Sequence, residues 1–446
     1  SNRLISTFFR LNMGYADRYL LTLSIRADGS SKFASGNKWG TFPSASAAWR
    51  ASSEAFYPEN AWISDLKLRA SWGMTGNQEG IGDYDSRSLA SGGQNYNGMD
   101  GIAVTTLANA ELKWEKSDQT NIGVDLSILK GKITASADFF IKNTNDLLYD
   151  RPLHATTGFT SITQNIGSMR NTGFEFTLAS HNLTRTDFTW DTQFNISTVK
   201  NELTSLIDER PIPVGKHVLQ VGKAIGSFYM YQMEGIYQKD IEVPQALYQK
   251  GVRAGDIRYT DVNGDGNLSP EDKVVVGKPL PDFYGGLTNR FTFYNFDLTI
   301  FNTFSVGNDV YSSGMSGIDA VGHYNYGIRK EVAQHRWQGE GTSSSVPRAM
   351  ISTHNTQVST YLLHDGSYFK FKDVTLGYTF PAMLTQKWGI SNLRLYASAQ
   401  NLWTISSYPG YDPEVSYSVN DSKTMGEDAM TVPQLRTFVF GLNINF

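Results

Sequence analysis

Polar and apolar positions alternate with a period of two along most of this chain. Tyr19, Leu21, Leu23 and Ile25 interleave with Thr22, Ser24 and Arg26, and Leu66, Leu68, Ala70, Trp72 and Met74 with Lys67, Arg69, Ser71 and Gly73. Ile122, Val124, Leu126 and Ile128 likewise oppose Asn121, Gly123, Asp125 and Ser127. The pattern recurs through 133–142, 188–196, 374–380 and 393–400, and the chain closes on Phe438, Phe440, Leu442, Ile444 and Phe446 opposite Val439, Gly441, Asn443 and Asn445. A period of two marks a β-strand whose faces meet different surroundings. Roughly 13 such strands can be counted, most of about 9 to 13 residues, the reach a tilted strand needs to cross a bilayer.

The connections alternate as well. Tight turns fall near 16–18, 130–132, 181–186 and 293–295, and long segments lie at 28–40, 76–114, 143–167, 200–282, 306–367 and 405–434. Short connections on one side and long ones on the other are the rhythm of outer-membrane barrels, with periplasmic turns and extracellular loops. Aromatics gather beside the short turns, among them Tyr15, Tyr19, Phe188, Trp190, Phe293 and Phe296, as an interfacial girdle requires. The reading is an all-β chain forming part of a transmembrane, antiparallel, up-and-down β-barrel in a bacterial outer membrane. Its apolar rows face lipid, and Arg26, Lys67, Arg69, Asp125, Asp138, Asp191 and Arg394 face a wet lumen. The alternative is a soluble, calcium-stapled β-sandwich acting as a glycan-binding or adhesin module, which alternates equally well with its apolar face turned inward. An odd strand count leaves an antiparallel wall unclosed, so earlier strands are expected to complete it.

Composition narrows the class. The 446 residues are 40% hydrophobic and 13% aromatic, with 41 Gly, which suits strands shared between lipid and a polar lumen. There is no cysteine, hence no disulfide framework, thiolate metal site or cysteine nucleophile. Net charge is −4 with no long basic run, which argues against nucleic acid as a partner. No stretch approaches the roughly 20 apolar residues of a spanning helix.

Several blocks, in order along the chain, resemble the SusC/RagA-like TonB-dependent transporters of Bacteroidota outer membranes. They include Arg26–Phe33 with Trp39–Pro43, Leu66–Gln78, Leu112–Glu115 with Asn121–Asp125, and Asn165–Glu175. Gly255–Tyr259, Asp365–Pro381 and Gln400–Trp403 with Gly410–Val415 follow. The resemblance implies a barrel of about 22 strands with an N-terminal plug, of which this chain represents the C-terminal part, roughly 13–14 strands. The plug and first strands match nothing here, so coupling to the TonB complex is expected through a region upstream. The resemblance further implies a SusD-like lipoprotein lid, contact with membrane lipid or lipopolysaccharide, and an oligosaccharide or peptide cargo.

The sharpest local motif is Asp261-Val-Asn-Gly-Asp-Gly-Asn-Leu-Ser-Pro-Glu-Asp272, within the long extracellular segment 200–282. Asp261, Asn263, Asp265, the Asn267 carbonyl and Asp272 follow calcium-loop spacing, with Gly266 at the sharp turn. Oxygen donors at alternate positions let a short loop wrap a hard cation, so a structural calcium is expected, although Asp stands where the usual loop ends in Glu. Trp39, Tyr84, Tyr96, Tyr324, Tyr326, Trp337, Tyr408 and Tyr411 are the candidate cargo-stacking aromatics, and Glu331–Trp337 reads as a short loop helix. No enzyme is expected. The seven histidines are scattered without metal-ligand pairing, no G-x-S-x-G elbow occurs, and the glycines near 73–82 are followed by no dinucleotide-binding helix.

Overall fold

The computed structural model describes residues 2–58, 62–95, 97–319, 321, 327–351, 353–418 and 421–446. They fall into two compact units, Ser1–Thr184 with Trp190–Arg210, and Arg185–Thr189 with Pro211–Phe446.

The first unit carries β1 (Leu4–Tyr15), β2 (Tyr19–Ser30), β3 (Trp39–Arg50), β4 (Ile63–Asn77), β5 (Glu115–Ile128), β6 (Ile133–Asn145) and β7 (Gly167–Thr184). It also carries most of β8 (Phe188–Leu206). Each strand through β7 pairs antiparallel with the next. The register carries the sequence alternation across the sheet. Ala70, Ile122, Phe139 and Phe174 stand in one row, and Ile122 is 61% exposed. Arg69, Gly123, Asp138 and Glu175 stand in the adjacent row on the opposite face. A one-residue slip would exchange the two faces, so burial against lipid on one side fixes the pairing.

The second unit carries β9 (Phe283–Phe293), β10 (Phe296–Val306), β11 (Tyr368–Thr379), β12 (Asn392–Ser406) and β13 (Thr437–Asn445), again each paired antiparallel with the next. Leu298, Leu376, Ala397 and Phe440 form one outward row, and Phe440 is 82% exposed. The register of β11 shifts between Phe371 and Asp373 against β12, and that of β10 shifts against β11 at the same level. An extra residue there turns the strand over. Asp373 and Thr375 therefore share the polar face with Lys370, which the simple alternation would have placed outside.

Among the described residues there are thus thirteen long strands, as the alternation predicts. β7 and β8 run 18 and 19 residues, longer than expected and well beyond the roughly 10 a tilted span needs. Much of the surplus lies at the short-turn end, where Ser180 pairs with Ile133 at the start of β6 and residues 181–184 run on past it. The short connections at 16–18, 129–132 and 294–295 match the expected turns, and the one expected at 181–186 lies at 185–187. Each unit has a further connection with short helical turns, at Ala51–Ser53 after β3 in the first and within 380–391 in the second.

The long segments fold into cores of their own. In the first unit Phe33, Phe42, Ile81, Leu112 and Trp114 pack together at the loop end of β2–β5. In the second, Phe228, Met230, Tyr311, Met315 and Leu362 form one cluster, and Tyr231, Ile236, Ile257 and Tyr259 another. The wall's outward face is exposed while these loop cores are dry. That is the reverse of a sandwich, whose strands would bury their apolar rows.

Candidate functional site

The polar face of the first unit is built on one arginine. Arg69 Nε donates to Asp125 Oδ2 at 2.9 Å, and Nη2 donates to Asp125 Oδ1 at 2.8 Å, Asp138 Oδ2 at 2.9 Å and Ser136 Oγ at 3.0 Å. Lys67 Nζ stands 3.7 Å from Asp125. Gly123 lies beneath this bridge. A β-carbon there would land on Asp138 Oδ1 and on the guanidinium, so only glycine lets the charges meet across it. The second unit repeats the device: Arg394 Nε donates to Asp297 Oδ1 at 2.8 Å, over Gly377. Arg26 pairs with Asp28 at 2.8 Å, and His181 Nδ1 lies 2.5 Å from Asp191 Oδ1. Arg26, Lys67, Arg69, Asp125, Asp138, Asp191 and Arg394, expected to face the lumen, are thus each tied to a partner.

Toward the loop end of the same face lies a groove of about 690 Å³ bounded by Ser24, Ser44, Ser71, Gln119, Asn121 and Trp114. Its hydroxyls and amides are chained: Ser24 to Ser44 at 2.7 Å, Asn121 Nδ2 to Ser71 Oγ at 3.1 Å, Gln119 Nε2 to Asn121 Oδ1 at 2.8 Å. Trp114 Nε1 donates to the Lys38 carbonyl at 3.0 Å and its ring meets Phe33 and Phe42. Such a surface offers exchangeable hydrogen bonds and a neutral charge balance. It holds no arrangement of nucleophile and base.

Of the aromatics singled out from sequence, Trp39, Tyr84 and Tyr411 are exposed. Trp39 lies flat over Gly29 across the β2–β3 pair. Trp337 packs against the Tyr231–Tyr259 cluster and donates Nε1 to Gln238 Oε1 at 3.2 Å. Tyr408 is 7% exposed and donates its hydroxyl to Asp428 Oδ2 at 2.7 Å. Tyr408 is closed off by its neighbours, and Trp337 is half-buried in a contact between loops. Tyr96, Tyr324 and Tyr326 lie outside the described residues. The short loop helix is present as Lys330–His335.

The 261–272 loop is flanked by the strand Ile257–Tyr259 and the strand Lys273–Gly277, without long helices, as its sequence implies. Asp261 accepts backbone N–H groups from Gly264 at 2.8 Å and Gly266 at 2.7 Å, and Asp265 accepts that of Asn267 at 2.7 Å. Asn267 Oδ1 accepts from Lys250 Nζ at 2.5 Å. Asp272 is fully buried and turned inward, accepting from Val262 N at 3.0 Å and Ser269 N at 2.8 Å. Asp261, Asn263 and Asp265 stay on the exposed side. Among the described residues, no three Asp, Glu, His or Cys side chains converge as a metal-holding group.

The strongest polar cluster was not legible in the sequence. Lys370 is 1% exposed. Its Nζ lies 3.0 Å from Asp412 Oδ1 and also bonds Glu414, which takes Lys372 Nζ at 3.0 Å and the Tyr368 hydroxyl at 3.1 Å. Burial pushes the Glu414 carboxyl up, but the two lysines outweigh it and hold it below the ordinary glutamate value. His217, fully buried, donates Nδ1–H to the Gly226 carbonyl at 2.8 Å and turns Nε2 toward Glu427 at 3.4 Å. Glu427 also bonds Lys216 at 2.6 Å. Asp256, 1% exposed, holds Arg348 in a fork at 2.8 and 2.9 Å and takes Asn355 Nδ2 at 2.9 Å. The first pin joins segments about 40 residues apart in sequence, and the other two join segments over 90 residues apart. The only sequence signal for the first was the Tyr-Phe-Lys-Phe-Lys-Asp run, whose bulge does not show in the alternation.

A family model described as TonB dependent receptor-like, beta-barrel matches residues 1–402. The chain is 35% identical over 465 residues to TonB-dependent receptor P3 of Formosa agariphila, covering 99% of this chain and 45% of that protein. It is 32% identical over 472 residues to TonB-dependent receptor SusC of Bacteroides thetaiotaomicron, covering 100% and 44%. A solved structure of the RagAB peptide transporter matches with a TM-score of 0.85 at 25% identity, covering all of this chain and 48% of that one. The chain therefore spans about half the length of the curated relatives it matches. These relatives are receptors and transporters, not enzymes. No helix among the described residues is long and apolar enough to cross a membrane; the strands make the crossing. The chain belongs to the TonB dependent receptor-like β-barrel family of the outer membrane.

Proposed function

We propose that this chain supplies the C-terminal part of the wall, and the folded loops above it, of an importer that moves an oligosaccharide or peptide nutrient across the outer membrane. The observation that carries the proposal is the opposition of two faces on the same strands. Leu68, Ile122, Leu376 and Phe440 are exposed on one, and paired charges and chained hydroxyls line the other. The family match and the RagAB peptide transporter likeness support the same reading. In this reading the cargo is caught between the loops and a SusD-like surface lipoprotein, then released along the polar face when the TonB complex acts on an N-terminal plug. Because the named charges are neutralised in place, the face offers many weak bonds and no deep electrostatic trap, which favours passage over retention. β1 and β13 are each paired along one side only among the described residues, and lipid requires their other edges to be satisfied. The remaining strands of the whole protein would do so.

The test is uptake of labelled oligosaccharides and peptides by cells with and without the full-length protein. Loss of uptake of one cargo class, together with co-purification of a surface lipoprotein, supports the reading. Equal uptake of every compound by both strains overturns it.

A local role goes with it. We propose that calcium seats on the exposed side of the 261–272 loop, held by Asp261, Asn263, Asp265 and the Asn267 carbonyl, while buried Asp272 closes the turn. The ion would serve as a structural staple. Calcium titration should then slow proteolysis within 255–275, and no change at millimolar calcium would dismiss the ion.

A further inference from the structure

The connection between β11 and β12 carries side chains that a turn does not need. The strand pair closes with Phe380 N donating to the Leu393 carbonyl at 2.8 Å. Pro381 then starts a helical turn, Ala382–Thr385, continued by a tighter turn at Gln386–Trp388. Gly389, at φ +70°, ends it in the left-handed conformation that glycine tolerates. The turn is held by its own backbone, with Leu384 N to Pro381 O at 2.9 Å, Gly389 N to Gln386 O at 3.0 Å and Ile390 N to Thr385 O at 3.2 Å. Thr385 alone is buried; Met383 is 81%, Leu384 55% and Trp388 72% exposed. Three large apolar side chains on a self-sufficient turn have no internal purpose, and a contiguous apolar exposure of this kind marks a contact surface.

The neighbouring elements identify what covers it. β10 and β11 are joined on their other end by the long segment 307–367, so this turn lies on the short-turn, periplasmic side. On that side an aromatic row already faces outward. Phe296 meets Tyr378 at a tilt with 4.7 Å between centroids, and Tyr378 meets Phe380 edge-on at 5.1 Å. Phe380 leads directly into the turn. At the turn's other end Ser391 N donates to the Asn445 carbonyl at 2.8 Å, beside exposed Phe446. The turn is thus continuous at both ends with the lipid-facing wall. Lys387 is exposed among the apolar residues, and a lysine there can place its stem in the apolar layer and its ammonium at phosphate.

We propose that residues 381–390 form an interfacial foot. It seats Met383, Leu384 and Trp388 at the headgroup–acyl boundary of the periplasmic leaflet and offers Lys387 to phospholipid phosphate. Tryptophan favours that zone, and a short amphipathic turn lying in it adds area to the anchor without crossing the membrane. Such a foot fixes the height of the β11–β12 hairpin relative to the bilayer.

This chain contributes no cysteine of its own, and any cysteine elsewhere in the full-length protein is replaced by serine before labelling. The full-length protein carrying M383C, W388C or the loop control S345C is labelled with an environment-sensitive fluorophore in phospholipid nanodiscs. For M383C and W388C the proposal expects blue-shifted emission, severalfold stronger quenching by lipids bearing a shallow nitroxide than by aqueous iodide, and the opposite ranking for S345C. Iodide quenching of M383C and W388C equal to that of S345C overturns it. So does protection from both quenchers, which would mean that a protein surface covers the foot.

Discussion

Replacing Lys370 with methionine removes one cation from a site where two carboxylates converge. Methionine keeps the volume and fills the strand position, so the effect is electrostatic. Among the described residues Asp412 would then keep the backbone N–H groups of Glu414 at 3.1 Å and Gln434 at 3.2 Å. Glu414 would keep Lys372 and the Tyr368 hydroxyl. Breaking a buried ion pair from one side costs about 3–5 kcal/mol. Because Glu414 keeps two partners, the lower end applies, about 3 kcal/mol, or roughly two orders of magnitude in a local opening equilibrium. The barrel wall as a whole need not melt; the loss falls on the segment from Tyr408 to Gln434 that the pin holds down. Hydrogen exchange by mass spectrometry on the full-length protein in lipid reads this directly. Protection in peptides covering 408–434 should fall roughly a hundredfold in K370M while β1–β4 peptides stay unchanged. Neutralising the partners as well, in K370M/D412N/E414Q, should restore part of it, because the cost lies in the stranded charges. Protection in 408–434 within threefold of the parent in K370M would refute this account of the pin.

Other outcomes follow from the same structure. Burial holds the His354 imidazole below its ordinary value, so its contribution to loop stability is complete above about pH 6.5 and falls as pH drops through the lowered value. Glu414, also held low, adds a second loss below about pH 4.3. Loop proteolysis should therefore quicken as pH falls from 7 to 4, and quickening on alkalisation from 5 to 8 would contradict the sign. G123A should force Arg69 off Asp138 and lower the temperature at which the folded band converts on a gel, whereas G36A, at a glycine with open space around it and no positive φ, should leave that temperature unchanged. L376R should cost about 2–4 kcal/mol of insertion stability if it sits near the midplane, and T375R, on the polar face, should cost far less; equal losses would remove the distinction between faces.

Much of the wall could be read from residue order. The rows through Leu68 and Val124, or Leu376 and Ala397, need only the two-residue period, and thirteen strands emerge with it. The expected turn at 181–186 begins instead after Thr184, because β7 and β8 extend beyond the membrane and polar residues continue the ladder there. Alternation failed at the β11 bulge, where one extra residue moved Lys370 to the inside. It also could not show that Tyr408 is buried and Trp337 half-buried against neighbouring loops, since an aromatic in a loop looks the same in sequence whether its ring is open or covered. The buried partners His217 with Glu427, and Asp256 with Arg348, join distant segments through tertiary contacts that no local pattern encodes. Gly123 and Gly377 fell within recognisable blocks, but their purpose, clearing space for an ion pair to pass overhead, needs side-chain geometry.

The orientation of the strands is tested most directly by spin labels placed one at a time at Asp373, Val374, Thr375 and Leu376 of the full-length protein in a bilayer. Val374 and Leu376 should show high collision with oxygen and low collision with a water-soluble nickel chelate, and Asp373 and Thr375 the reverse. Uniform accessibility across the four positions, or the opposite alternation, would contradict a wall that turns its apolar rows to lipid.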